Sequence, residues 1–116
     1  MRTERLDLRV YRNADYYEGW QLSDNEGLPI DISDCTLALN IRAVAGQGAV
    51  LASALISHED SANGIFTVNI SGASLASVAG TGEEVRLAYD LALTYPDGVR
   101  AVPVAGQTIL TPGVTF

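Results

Sequence analysis

This 116-residue chain has no lysine, one cysteine, one histidine and one tryptophan. The single cysteine, Cys35, excludes an internal disulfide. The longest apolar runs are far shorter than the roughly 20 residues of a membrane-spanning helix. The opening residues, MRTERLDLRV, lack the apolar stretch that a secretory signal needs. We therefore expect a protein that is made in a reducing cytoplasm, is not exported by the Sec route and does not cross a membrane.

Basic residues are scarce and unevenly placed. Fourteen Asp and Glu residues stand against seven Arg residues, for a formal net charge of −7, so phosphate backbones and anionic membrane surfaces should repel the protein. Four of the arginines fall within the first twelve residues. That bias fits two interpretations: an N-terminal arm that docks on an acidic partner, or a solvated edge strand whose alternating charges prevent edge-to-edge pairing.

Length and composition predict a single domain over residues 1–116. Hydrophobic residues make up 47% of the chain and charged residues 18%, a balance typical of globular rather than disordered proteins. At this length folding buries about two-thirds of the surface of the unfolded chain, which is enough for one hydrophobic core without disulfides.

Alternation of apolar and polar residues indicates β-strands along most of the chain. In TLALNIRA, for example, Leu37, Leu39 and Ile41 share one face while polar residues occupy the other. The other stretches read as strands are RLDLRVY, YYEGWQLSD, AVLASALIS, IFTVNIS, EVRLAYDLALTY and VRAVPVAGQTIL. The alanines of AVLASALIS would also fit a short helix.

Turn residues connect these strands. TYPDGVR (94–100) is typical of a β-hairpin, and Pro103 predicts a sheet edge or a β-bulge because proline cannot donate to a ladder. We expect a loop over HEDSANG (58–64) and a short helical turn in GASLASVAGTG (72–82) that crosses between sheets. Together the pattern predicts an all-β fold: a small antiparallel β-sandwich, Ig-like, with about seven strands and one short helical crossover.

Residues that could carry catalysis do not form a convincing constellation. His58 is followed by Glu59 and Asp60, but three consecutive loop residues cannot all converge on one metal ion. The chain has no G-x-S-x-G nucleophile motif, and Cys35 at the start of a strand suits a small, partly buried apolar residue. We expect no enzymatic activity, no metal and no cofactor.

Tyr16, Tyr17 and Trp20 form the one aromatic cluster in the sequence. An exposed Trp–Tyr platform can stack on sugar rings, so a carbohydrate-binding or host-recognition module is one interpretation. In a sandwich a lone tryptophan more often anchors a core or an interface.

Two stretches resemble small virion proteins of tailed bacteriophages. LPIDISDCTLALNIRAVAGQGAVLASA (28–54) is similar to a pattern that reads G-x-P-I-D-L-T-G-Y-T-A-x-x-x-I-R, followed by a Gly-rich tip and a returning strand. NGIFTVNIS and the residues that follow it, through YDLALTYPDG to TPGVT, resemble the second half of the same proteins. The likeness runs from Leu6 to Thr115, and the chain departs from the pattern at Cys35, where the family has an aromatic residue or a Gly-Tyr pair.

The resemblance implies a bacteriophage structural protein of the tail, baseplate or fibre-attachment region, made in the host cytoplasm and located in the virion. A head decoration (cement) protein of the same fold is the alternative within this class. Its expected partners are other phage structural proteins, and it is expected to form a homo-oligomer or to be arrayed on a symmetric assembly. The first strand, the strand with Pro103 and the C-terminal tail are the edges that a neighbouring chain could extend. The candidate interface residues are Arg5, Arg9, Tyr11, Tyr16, Tyr17, Trp20, Pro103, Val114 and Phe116.

Overall fold

The computed structural model describes residues 4–11, 14–44, 47–75 and 84–111. These residues form an all-β protein with two short 3-10 turns, Ser61–Asn63 and Gly72–Leu75, which agrees with the predicted all-β character. No helix in this part of the chain is long and apolar enough to cross a membrane. The strands of the described residues are β1 (Glu4–Arg5), β2 (Leu8–Tyr11), β3 (Tyr16–Gln21), β4 (Thr36–Arg42), β5 (Ala52–Ser53), β6 (Leu55–Asp60), β7 (Ile65–Ile70), β8 (Val85–Thr94) and β9 (Arg100–Thr111).

The larger sheet contains six strands in the order β1-β9-β8-β4-β5, and β2 also pairs with β9. Strands β4, β8 and β9 are antiparallel, and the β4–β8 register runs without a shift from Thr36 opposite Thr94 to Arg42 opposite Ala88. In contrast, β1 and β2 run parallel to β9. This parallel edge differs from the antiparallel arrangement that the sequence analysis expected. Parallel neighbours require a long connection, and nearly the whole chain lies between these strands.

The smaller sheet contains three antiparallel strands in the order β3-β7-β6. The β3–β7 register is continuous from Tyr16 opposite Ile70 to Gln21 opposite Ile65. Gly19 therefore does not form the bulge that a glycine within a strand can mark. Because β7 lies in the middle, β3 and β6 are the two margins of this sheet.

The two sheets share one hydrophobic core because their inward residues are apolar. Phe66, Val68 and Ile70 of β7 are completely buried, and so are Leu91 and Leu93 of β8. These are the alternate residues that the period-two pattern assigned to inward faces. Burial of each such side chain contributes roughly 1.5–3 kcal/mol, so this shared core is the main source of stability.

The chain changes sheets between β5 and β6. Ser53 pairs with Asn40 in the larger sheet, whereas Leu55 pairs with Asn69 in the smaller one. Only Ala54 separates the two strands, and its N–H donates to the Leu39 carbonyl at 3.0 Å. This interruption, with another between β1 and β2, explains why the described residues hold nine strands where about seven were expected.

The predicted loop over residues 58–64 is wrong in its first half. His58 and Asp60 belong to β6, where they pair with Phe66 and Ile65 across a register shift. The turn is confined to Ser61–Asn63 and Gly64, whose φ of 71° suits glycine. Polar side chains on β6 concealed the strand because this sheet margin faces solvent rather than the core.

The β8–β9 hairpin confirms the predicted turn at residues 94–100 and the prediction that Pro103 lies at a sheet edge or a β-bulge. The Tyr95 N–H donates to the Val99 carbonyl at 2.8 Å, and Gly98 donates back to Tyr95 at 2.9 Å. The β8–β9 register shifts between Leu91 and Leu93, opposite the segment that contains Pro103. Proline thus lies at a bulge, where its missing N–H costs no ladder hydrogen bond.

The crossover from the smaller to the larger sheet begins with the 3-10 turn at Gly72–Leu75, in which Leu75 is completely buried. The Gly72 N–H donates to Asp15 Oδ1 at 2.9 Å. The rest of the predicted crossover, residues 76–82, lies outside the described residues, and the chain is next described on its way into β8 of the other sheet.

Candidate functional site

A groove of about 570 Å³ lies where one margin of each sheet meets the other. We call it the edge groove; residues 4–6, 20–25, 103 and 104 line it. One wall is β1, at the margin of the larger sheet, and the other wall is the end of β3, at the margin of the smaller sheet.

Trp20 anchors the β3 wall of the edge groove. Its ring meets Phe66 edge to face, with 6.1 Å between ring centroids and an interplanar angle of 61°. Its Nε1–H donates to Tyr16 Oη at 3.3 Å. Desolvation by burial raises the pKa of Tyr16, so this phenol stays neutral and able to accept the bond at physiological pH. Contacts with Phe66 and Tyr16 therefore hold the Trp20 ring in the β3 wall of the edge groove.

The outer margin of β3 presents unpaired backbone groups. The Leu22 N–H donates to the Gly64 carbonyl at 3.0 Å, toward β7. Because hydrogen-bonding directions alternate along an antiparallel strand, the N–H and C=O groups of Tyr17, Gly19 and Gln21 point away from β7. No other described strand pairs with β3 on that side.

The opposite wall also has an open margin. The Leu6 N–H donates to the Ala105 carbonyl at 3.1 Å, which turns the backbone of Leu6 toward β9. By the same alternation the N–H and C=O groups of Arg5 point away from the sheet, and β1 has no further described neighbour there. The edge groove therefore lies between two strand margins.

Acidic side chains dominate the electrostatics of the edge groove. Glu4 and Asp24 line it, and Glu18 lies on β3 just before the wall that this strand forms. Arg5 is the one basic residue among the described residues that line it, and its Nε lies 3.5 Å from Asp7 Oδ1. Two lining carboxylates against one already paired guanidinium give the described lining an excess of negative charge.

Asp7 and Asp24 are held in place by backbone donors. The Gln107 N–H donates to Asp7 Oδ1 at 3.0 Å, and this bond, with smaller contributions from Arg5, holds the pKa of Asp7 below its ordinary value. Asp24 Oδ1 accepts from the N–H groups of Glu26 and Leu28 at 2.9 and 3.0 Å. These backbone donors fix both carboxylates in position.

The structure brings together three of the residues predicted for an interface: Arg5, Trp20 and Pro103 all line the edge groove. Pro103 is buried and contributes to its wall rather than to an exposed surface. Tyr16 stands behind Trp20, partly buried in the core.

The remaining predicted interface residues lie elsewhere. Tyr17 is 63% exposed on the face of β3 opposite to Trp20. Tyr11 is exposed at the end of β2. Arg9 Nη1 is bound within the chain, to Glu84 at 3.1 Å and to Thr111 Oγ1 at 2.8 Å. Val114 and Phe116 lie outside the described residues.

The carbohydrate-binding interpretation requires Tyr17 and Trp20 to be exposed together. Adjacent strand positions point to opposite faces, and these two residues are three positions apart, so Tyr17 faces solvent while Trp20 packs on Phe66. The described residues around them therefore do not form a shared stacking platform.

Candidate catalytic residues are dispersed. His58 is exposed on β6, where its Nδ1 lies 2.9 Å from Ser61 Oγ, and it lines neither the edge groove nor the two cavities of about 520 and 130 Å³ on the larger sheet. Desolvation by burial, together with Asp34 and Asp31, raises the pKa of the Cys35 thiol, which opposes formation of a thiolate nucleophile. Within the described residues, no group of three or more His, Cys, Asp or Glu side chains is placed to hold a metal ion.

Sequence reasoning missed Glu4, Gln21 and Leu22 as groove residues. Each reads as an ordinary strand or strand-end residue, and the groove exists only because the margins of two sheets meet. A glutamate on the inward face of β3, Glu18 opposite buried Val68, was the available signal, because charge on an inward strand position marks a sheet margin.

No protein-family model matches this chain, and a search of the curated proteins finds no match.

Proposed function

We propose that this protein is a structural component of a bacteriophage virion, in the tail, baseplate or fibre-attachment region, and that it acts by binding neighbouring chains. The resemblance of residues 6–115 to small tailed-phage virion proteins supports this identity. An Ig-like β-sandwich belongs to the same proposal, since two sheets share one core and their margins are left for neighbours.

The observation that carries the proposal is the pair of unpaired strand margins, β1 and β3, that border one groove. Exposed strand margins are an aggregation hazard that monomeric proteins commonly cover or interrupt. Their retention at one shared place favours a protein that adds strands from other chains over a protein that transforms a small molecule.

The negative charge fits assembly on other proteins rather than on nucleic acid. With a net charge of −7 and no lysine, the protein lacks the basic surface that contacts phosphate backbones. Among the described arginines, Arg9 and Arg86 are bound to Glu84, at 3.1 and 3.2 Å.

Quantitative mass spectrometry of purified phage particles tests the proposal. A structural protein of the tail should be present in every particle at a fixed copy number consistent with a few symmetric rings. Hundreds of copies would instead identify the head decoration alternative. Absence from particles that are otherwise complete would contradict the proposal.

Homo-oligomer formation or arraying is part of the proposal and can be measured separately. Sedimentation of the purified protein over a wide concentration range would detect self-association. Arraying by other virion proteins predicts a monomer in isolation and a fixed stoichiometry in the particle.

A further inference from the structure

We infer that the edge groove binds an extended, basic strand of another protein chain, with lysine or arginine at alternate positions. This inference deepens the proposed function and rests on it for the nature of the partner. It names a site, a binding mode and a partner chemistry.

Backbone geometry sets the binding mode. The outward N–H and C=O groups of Gly19 and Gln21 on one wall, and of Arg5 on the other, can only be satisfied by water or by a further strand. An extended segment aligned along β3 would pair with that margin and continue the three-stranded sheet to four strands.

Alternate side chains of an added strand can reach the lining of the edge groove. Trp20 is only partly buried there, whereas Leu22 and Val104 are 5% and 8% exposed and belong to the core behind it. A Cβ built on Gly19 would have no atom within 4 Å, so the approach to the β3 margin is open. Side chains at every second position of an added strand would point toward this lining.

Charge selects the side chains that point toward this lining. Glu4 and Asp24 belong to the lining, Glu18 lies on the inward face of β3 before it, and Arg5 is already paired with Asp7. An acidic strand would add negative charge to this rim, and a neutral strand would leave the charge of the rim uncompensated. Lysine or arginine side chains would complement that charge. Glu18 also acts as a barrier, because pairing with an uncharged strand would bury it without a partner.

A peptide titration tests the inference on the full-length protein. The probe is a capped ten-residue peptide that alternates valine with lysine, and the matched probe alternates valine with glutamate. Trp20 is the only tryptophan and lines the groove, so its fluorescence reports binding directly. At an ionic strength of about 0.05 M we expect saturable binding of the lysine peptide and binding at least about tenfold weaker for the glutamate peptide.

Two proline variants locate the binding margin. Gly19→Pro removes an outward N–H of β3 and should weaken binding of the lysine peptide by about tenfold, equivalent to roughly 1.4 kcal/mol. His58→Pro is the matched control: His58 lies opposite Phe66 on β6, and the ladder alternation turns its N–H away from β7, at the other margin of the same sheet. This variant should bind the lysine peptide as the unmodified protein does.

A charge-reversal variant keeps the inference testable if Gly19→Pro fails to fold. The double variant Glu4→Lys, Glu18→Lys should reverse the preference and bind the glutamate peptide more tightly than the lysine peptide. Failure to bind the lysine peptide, equal binding of both peptides, or equal weakening by the two proline variants would each overturn the inference. Concentration-dependent dimerisation without peptide, abolished by Gly19→Pro, would identify a second copy as the occupant and would overturn the basic partner.

The inference and the proposed function fail separately. If the protein is present in particles at fixed copy number but does not bind the lysine peptide, assembly stands and the groove is not its site. If the peptide binds as expected but the protein is absent from particles, the groove stands as a peptide-binding site and the virion assignment fails.

Discussion

The two margins that meet at the edge groove are built differently. The N-terminal margin, which consists of β1 with Leu6 and Asp7, is fastened to the sheet beside it. The Tyr89 hydroxyl donates to the Leu6 carbonyl, and the Gln107 N–H donates to Asp7. The β3 margin is held by its ladder to β7 and by the Trp20 ring, but a Cβ at its Gly19 would meet nothing within 4 Å. Both margins lack a further described strand on the outer side, and they differ in how closely the backbone packs against the neighbouring glycine.

The fastened margin depends on close backbone approach. Between β1 and β2, the backbone of Leu6 passes directly over Gly106 of β9. Tyr89 stays protonated to make its bond, because burial raises the pKa of its hydroxyl well above the ordinary value. The N-terminal margin is therefore a fixed wall of the edge groove, whereas the space around Gly19 on the β3 margin is open.

The strongest test of this difference makes the same substitution at Gly106, the glycine of β9 against which the N-terminal margin packs, and at Gly19 of the β3 margin. A Cβ at Gly106 would overlap the Leu6 carbonyl, so we expect Gly106→Ala to destabilise the protein by about 2–4 kcal/mol. A Cβ at Gly19 would meet nothing within 4 Å, and Gly19→Ala should change stability by less than about 0.5 kcal/mol. Denaturant unfolding of both variants measures the contrast, and equal effects would show that the two margins are not distinct.

The hydrogen bond from Tyr89 gives the next largest effect. Tyr89→Phe keeps the ring in the core but leaves the Leu6 carbonyl without this donor, at an expected cost of about 1–2 kcal/mol. Hydrogen exchange should show faster opening at Leu6, whose N–H bonds to Ala105, while β4 and β7 remain protected. A uniform loss of protection would argue against a role specific to the N-terminal margin.

A buried polar group on β9, opposite β2, offers a substitution that should raise the stability of the protein. Thr108 lies opposite Leu8 of β2 and is completely buried, and its Oγ1 has no hydrogen-bond partner among the described residues. Thr108→Val keeps the shape and removes the buried hydroxyl, so we expect a gain of about 1 kcal/mol.

Thr111→Val is the matched control for Thr108→Val. Thr111 lies on the same strand, but its Oγ1 accepts a hydrogen bond from Arg9 at 2.8 Å. Removing this hydroxyl should be neutral or slightly destabilising. Thermal unfolding of both variants measures the difference, and a loss of stability in Thr108→Val would contradict the absence of a partner for that hydroxyl.

The alternation of apolar residues predicted the strands because it reflects burial directly. Leu37, Leu39 and Ile41 are buried as the period-two pattern requires, and Pro103 lies at a bulge because proline has no N–H to donate. Such features depend on a residue and its immediate neighbours, so the sequence was sufficient to predict them.

Features that join distant residues could not be predicted in the same way. The parallel pairing of β1 with β9 and the fit of Leu6 over Gly106 depend on segments about a hundred positions apart. The change of sheet at Ala54 has no local signal, since alanine suits either sheet. The edge groove combines three of the predicted interface residues, but its shape follows from where the two margins meet.

Acid sensitivity of the N-terminal margin is the smallest expected effect. The Gln107 N–H lowers the pKa of Asp7 below 3.8, so ionised Asp7 stabilises the fold above that value and the contribution is lost as pH falls through the lower, folded-state value. The unfolding temperature of the unmodified protein should therefore fall more steeply than that of Asp7→Asn between about pH 5 and pH 2. Asp31, whose pKa is also lowered, is present in both proteins and cancels in the comparison.

Because the backbone bond outweighs the Arg5 charge, Arg5→Gln should keep most of the acid sensitivity, and an Arg5→Gln profile that matched Asp7→Asn would instead assign the effect to the ion pair.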